Sequence, residues 1–171
     1  MTIHHGPPTQ AGKQKRGLLI MRGLPASGKT TYAHQFVSAR RAEGISAIRI
    51  GRDDVRNLLC LSEQPRQKCV GSGKDEKMVT FVETKMIRAA FKSGIRWVVE
   101  DSTNLNNGSF ARLTLLGEAL GADVFTVTMN ASVEECVARD VLRVDSCGEE
   151  VIRAMASRDF RAMAARLVED E

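Results

Sequence analysis

Gly23-Leu24-Pro25-Ala26-Ser27-Gly28-Lys29-Thr30 follows directly on the apolar run Leu18-Leu19-Ile20-Met21 and precedes a helical pattern. Two glycines, a lysine and a threonine at these spacings, set between a strand and a helix, form a phosphate loop. Gly23 and Gly28 let the backbone coil until successive N–H groups converge on a β-phosphate. Lys29 supplies a compact positive charge, and Thr30 offers a hydroxyl to Mg²⁺, which holds near-octahedral oxygen coordination between phosphates and protein. The helix opening near Gly28 adds its positive end. Ala26, Ser27 and Thr31 lie in the same turn and join the residues expected to bind the nucleotide.

The order of patterns around this loop predicts an α/β fold. Arg16 to Arg22 reads as a strand, Lys29 to Arg41 as a helix ending near Gly44, and Ser46 to Ile50 as a strand ending at Gly51. A short helix starts at Arg52 and runs through Leu59 or Cys60; the polar segment Leu61 to Gly73, broken by Pro65 and Gly71, reads as a loop. A long helix follows from Lys74 to Lys92, with Met78, Val82, Met86 or Ala89, and Ala90 along one face. Arg96 to Glu100 forms a strand that delivers Asp101 at its end, Ser109 is placed to cap the next helix, and Ala122 to Met129 is another strand. A helix carrying Cys136, Val137 and Val141 is capped at Ser132 or Asn130, and a last helix spans Glu149 to Val168. Alternating elements of these lengths specify a parallel sheet flanked by helices, with the active site beyond the C-terminal strand ends.

The 171 residues suit one domain, and a 43% hydrophobic content fills one core. Met1 to Arg16 lacks an apolar period and contains Pro7-Pro8, so it reads as a disordered basic leader before a single domain over 17–171. Cys60, Cys69, Cys136 and Cys147 lack ligand spacing with one another or with histidine, which argues against structural zinc and fits reduced thiols in a cytoplasmic compartment. No stretch approaches the ~20 apolar residues of a membrane span. The net charge of +4 is compatible with a polyanionic partner without requiring one.

The phosphate loop identifies a donor site; other strand ends must supply the acceptor chemistry. Phosphoryl transfer to an alcohol needs a carboxylate beside the hydroxyl, and Asp53 is the expected base, with Asp54 the competing carboxylate. Arg56, three residues on, is placed to hold an acceptor phosphate. Asp101 is expected to meet Mg²⁺ or its water shell near Thr30; orientation of an arginine and a simple strand-ending cap are the other readings. Arg139 and Arg143, four apart in a helical pattern, could both face a triphosphate or, equally, form a surface pair with Glu135. Trp97 reads as core packing.

Three segments together resemble the 5′-kinase domain of bacteriophage polynucleotide kinase and related small P-loop kinases: Gly23 to Thr31, Arg52-Asp53-Asp54-Val55-Arg56, and Glu100-Asp101-Ser102-Thr103-Asn104-Leu105-Asn106. The resemblance covers about Gly17 to Met163 and implies a P-loop kinase fold with a small helical lid, ATP as donor and Mg²⁺ as metal. It implies Asp53 as general base, Arg56 and Asn104 on the acceptor, Asp101 near the metal, and Arg139 and Arg143 as lid arginines. Ser102 is an added residue that blurs the last alignment by one place, and no Asp-x-Asp-x-Thr phosphatase element accompanies the kinase pattern. The expected acceptor is a nucleic-acid hydroxyl, DNA first and a 5′ terminus foremost. Hydroxymethylated pyrimidines within DNA, small alcohols, and a nucleotide-binding module without catalysis are the alternatives. The oligomeric state stays open.

Overall fold

Alternation along Leu18-Leu19-Ile20-Met21 decides the architecture: Leu18 and Ile20 join one core, Leu19 and Met21 another, and all four are buried. A strand sealed on both faces needs helices above and below it. The computed structural model describes residues 2–5, 16–59 and 73–157. Among these, β1 (Thr2–His5), β2 (Gly17–Arg22), β3 (Ala47–Gly51), β4 (Trp97–Asp101) and β5 (Asp123–Thr128) form one sheet in the order β1-β5-β2-β4-β3. β2 to β5 are parallel, with Ile20 beside Glu100 and Gly51 beside Asp101, so the C-terminal ends of β2, β3 and β4 come out at one edge.

The helices are α1 (Lys29–Ala42), α2 (Arg52–Leu59), α3 (Gly73–Lys92), α4 (Asn107–Ala119), α5 (Val133–Asp140) and α6 over 149–157. Ala33 and Val37 of α1 cover Leu19, Met21, Val99 and Val127; Ile87, Ala90 and Phe91 of α3 and Leu113 and Leu116 of α4 cover the opposite face. Trp97 packs edge-on to Phe36 at 5.1 Å and against Phe125 at 5.2 Å, in the core as expected. Its ring passes so close to Gly17 that a Cβ there would lie 2.4 Å from it.

Several sequence expectations need correction. Thr2–His5, assigned to a leader without structure, pair antiparallel with β5, because an open edge offers main-chain partners that need no apolar period in the added strand. Asn106, not Ser109, caps α4 by accepting from the Gly108 and Ser109 N–H groups. Ser132 caps α5 in a reciprocal box with Glu135, which decides against Asn130. The buried face of α3 runs through Val79, Glu83, Ile87, Ala90 and Phe91, leaving Met78 and Met86 exposed. The rest of the leader, the loop from Leu61 to 72, Cys60 and Cys69, and the last helix beyond 157 lie outside the described residues.

Glu83 displaces the expected apolar face because it has charged partners on two other helices. Arg112 of α4 reaches its Oε2 at 2.6 Å and Arg52 of α2 at 3.2 Å. Glu100 lies beside it, fully buried, and Oε1 of each acid accepts no N–H. Burial, aided by the charge of Glu83, raises the Glu100 carboxyl well above its ordinary range. A raised folded-state pKa means the native state holds a proton that the unfolded chain releases. Stability from this group is therefore complete below the ordinary carboxylate pKa and declines as pH rises through the raised value. Glu100→Gln, which mimics the protonated acid, is expected to flatten the loss of stability between pH 5 and 8 in urea titrations. An unchanged slope would assign the pH dependence to other groups.

Candidate active site

The turn after β2 is held in conformations that few side chains tolerate. Gly23, Ala26 and Gly28 have φ of 144°, 57° and 96°. A Cβ on Gly23 would meet Ser27 Oγ at 2.9 Å and the Met129 carbonyl at 3.1 Å. The strained Ala26 persists in a loop fixed at both ends: Gly23 N–H donates to the Thr103 carbonyl at 3.0 Å and Ser27 N–H to the Leu24 carbonyl at 3.2 Å. Gly28 then stands at the N-cap of α1, which has no side-chain cap and no acidic residue in its first turn, unlike α5 with its capping box. The positive end of α1 is left open to an anion.

Lys29 is buried in this loop, its Nζ donating to the Leu24 carbonyl and to Ser27 Oγ. Burial pushes its pKa down to about 8; Asp101, Cys136 and Asp53 pull it upward and Arg143 pushes it further down. Those four groups therefore lie within electrostatic reach of Nζ, and they come from β4, α5, α2 and the segment after α5. Thr30 is exposed in the first turn of α1, and Thr31 beside it. Thr30 and Asp101 are oxygen donors flanking the loop, a set that suits Mg²⁺, which takes one or two protein ligands and completes its shell with phosphate and water.

Asp53 stands in the first turn of α2 with its side chain 51% exposed, facing solvent. Arg56 Nη1 donates to Asp53 Oδ1 at 2.6 Å, and the Arg56 Nε and Nη2 pair grips both oxygens of Glu76 at 2.9 and 3.0 Å. Burial opposes the Arg56 charge, yet the hydrogen bonds and charges of Glu76 and Asp53 outweigh it and raise its pKa. Arg52 donates to the same Glu76 at 2.7 Å, so α3 orients two arginines of α2 through one carboxylate. Asp54 points elsewhere and pairs with Arg49. Asp101, its side chain 3% exposed, accepts from Arg49 Nη1 at 2.8 Å.

Two expectations change here. Arg139 and Arg143 do not share a helix, because α5 ends at Asp140. The Asp140 carboxylate accepts from the Gly148 N–H at 2.9 Å and Ser146 Oγ at 2.7 Å and draws the chain into a turn. Arg139 pairs with Glu135 at 3.3 Å on the surface, whereas Arg143, bound by Asp145 at 3.0 and 3.1 Å, is the one whose charge reaches Lys29. Asn104 does not face an acceptor: it is buried with φ 46°, and its amide donates to the Met21 carbonyl at 2.9 Å and to Glu100, so it braces the loop behind β2. Arg49 and Glu76 escaped the sequence reading. The one signal for Arg49 was a charge at an inward position of β3, level with Val99.

A family model described as an AAA domain matches residues 18–167. Among solved structures, the chain is similar to one titled as the Pnkp1/Rnl/Hen1 RNA repair complex, with 21% identity, TM-score 0.70, and coverage of 91% of this chain and 47% of that one. A second Pnkp1/Rnl/Hen1 complex gives 25% identity and TM-score 0.62 over 77% of this chain and 41% of that one. The chain thus spans under half the length of these two neighbours. It is also similar to the Mycobacterium tuberculosis APS kinase CysC in complex with AMPPNP and APS, at 20% identity and TM-score 0.58, covering 75% of this chain and 70% of that one.

Proposed function

The chain belongs to the AAA domain family whose model spans residues 18–167, with a P-loop kinase-like fold, and on that premise we propose that it transfers the γ-phosphate of ATP to a nucleic-acid hydroxyl, foremost a 5′ terminus. The observation that carries this reading is the placing of Asp53: exposed, braced by Arg56, and within electrostatic reach of the buried phosphate-loop lysine. Similarity to chains of an RNA repair complex favours a nucleic-acid acceptor over a small alcohol.

In this scheme Lys29, the loop N–H groups and the open end of α1 hold the β- and γ-phosphates. Mg²⁺, held by Thr30 and Asp101, would offset phosphate charge and align the oxygens. Asp53 orients the acceptor hydroxyl and takes its proton as the oxygen bonds to the γ-phosphorus; the bond to the β,γ-bridging oxygen breaks and ADP leaves. Arg56 keeps Asp53 in place and, with its remaining N–H groups, approaches the acceptor backbone. Arg143 exchanges Asp145 for phosphate oxygens, and Arg139 adds charge at the rim. Labelled γ-phosphate offered with Mg²⁺ to 5′-hydroxyl DNA and RNA, to end-blocked DNA bearing hydroxymethylated pyrimidines, and to small alcohols tests the reading. Transfer to the 5′-hydroxyl strands is expected. Transfer only to internal bases or small alcohols would overturn the acceptor, and transfer to none would overturn the kinase.

The depressed Lys29 pKa has a measurable consequence. Phosphate favours the ammonium form, so binding near pH 8 draws a proton onto Lys29, and affinity falls as pH rises through that value. Calorimetry of ATP binding in two buffers of different ionisation enthalpy is expected to show net proton uptake at pH 8, and an affinity loss of up to ~10-fold from pH 7 to 9. Zero uptake at pH 8 would mean that Lys29 is already fully charged before the nucleotide arrives.

A further inference from the structure

Arg49 belongs to neither the phosphate loop nor the acceptor element, yet it touches both sides of the site. Its Nη1 donates to Asp101 Oδ2 at 2.8 Å and its Nη2 to Asp54 Oδ2. The two carboxylates differ: Asp101 is 3% exposed at the end of β4, and Asp54 is 51% exposed in the first turn of α2, next to Asp53. The guanidinium folds back over Gly51 to reach them. A Cβ at Gly51 would lie 2.6 Å from Arg49 Nη1 and 2.7 Å from Asp54 Oδ2, so the missing side chain is what makes room for the bridge. Strand register adds to this, because Gly51 is directly beside Asp101 and Arg49 is level with Val99 on the face covered by α1.

We propose that Arg49 is a positioning residue that couples Asp101 to the α2 turn carrying Asp53, and that by occupying Asp101 it weakens the hold of the site on a divalent cation while fixing the geometry for transfer. This inference rests on the proposed phosphotransfer reading for its kinetic part only. A guanidinium 2.8 Å from a carboxylate competes with a metal for the same oxygens and also restricts the rotamer of that carboxylate. Loss of the bridge therefore has two consequences of opposite sign: Asp101 becomes freer to bind a cation, and the α2 turn loses its registration with the end of β4. Loss of a side chain that merely stabilised the fold would weaken metal binding and turnover together.

The probe is Mn²⁺, titrated by electron paramagnetic resonance into the full chain in the presence of a non-hydrolysable ATP analogue, with phosphate transfer measured in parallel. Arg49→Met is expected to bind Mn²⁺ ~3–10-fold more tightly while kcat falls ~10–100-fold. Arg49→Lys keeps the charge but cannot span both acids, so a smaller tightening with a clear fall in kcat is expected. Gly51→Ala displaces the bridge with every charge retained, is expected to follow Arg49→Lys, and keeps the test open if the arginine variants fail to fold. Wild-type Mn²⁺ affinity in Arg49→Lys and Gly51→Ala, or weaker binding in Arg49→Met, would overturn the proposal. The metal titration needs no acceptor. If the wild-type protein phosphorylates no hydroxyl but the Mn²⁺ shifts appear, the phosphotransfer reading fails and the bridge stands; if transfer is intact and the shifts are absent, only the bridge fails.

Discussion

Replacing Asp53 by asparagine is expected to lower kcat for phosphate transfer by about 10²–10⁴-fold, the range for loss of a general base, with ATP affinity changed less than about twofold. Asparagine keeps the size of the side chain and can still accept from Arg56 Nη1, which reaches Asp53 at 2.6 Å, so the α2 turn should survive. Only the capacity to take a proton goes. Asp53 is also among the weaker charges acting on Lys29, behind Asp101, Cys136 and Arg143, so removing it should disturb the donor site little. Single-turnover transfer and direct nucleotide binding separate the two effects. If affinity and rate fall together, Asp53 is a structural residue. Asp54→Asn offers a contrast in the same turn, because its carboxylate is engaged by Arg49 and not by Arg56.

Lys29→Met should impair both binding and rate, with about 10²–10³-fold lost from kcat where the ammonium meets charge developing on the phosphates. Stability should move the other way. Burial holds Lys29 near 8 against an ordinary value of 10.5, so at neutral pH the folded protein carries an ammonium that the unfolded chain hydrates more favourably. Methionine has a similar stem and no charge to desolvate. The variant is expected to melt at a higher temperature than the wild type at pH 7, and the difference should shrink as pH rises from 8 toward 10.5. A lower melting temperature would show that the Nζ bonds to the Leu24 carbonyl and Ser27 outweigh the cost of burying the charge.

The parts of this site that could be read from the chain are those where one residue type at one spacing answers one physical need. The phosphate loop is such a case: left-handed backbone at Gly23 and Gly28 and a lysine directly after the turn leave few substitutes. The sheet was legible because Leu18 to Met21 must be covered on both faces, whereas the acidic first turn of α5 left Ser132 and Asn130 both open as its cap until the reciprocal bonds of Ser132 and Glu135 decided it. What stayed hidden depends on partners distant in sequence. Glu83 looks like a break in an apolar stripe until Arg112 and Arg52 close on it, and Arg49 looks like a misplaced charge until Asp101 and Asp54 meet it. Spacing misled at Arg139 and Arg143, since four residues make one helical turn only while the helix lasts, and Asp140 ends it between them. Asn104 misled in a different way: its place in a motif suggested the acceptor, but its amide serves Met21 and Glu100 within the fold.

The account depends on an acceptor hydroxyl standing between Asp53 and the γ-phosphorus. A crystal structure with Mg²⁺, a non-hydrolysable ATP analogue and a 5′-hydroxyl oligonucleotide tests this most directly. The account predicts the terminal oxygen about 3 Å from a carboxylate oxygen of Asp53 and in line with the bond to the bridging atom. A terminal hydroxyl bound away from Asp53, with that carboxylate still closed on Arg56 alone, would contradict it.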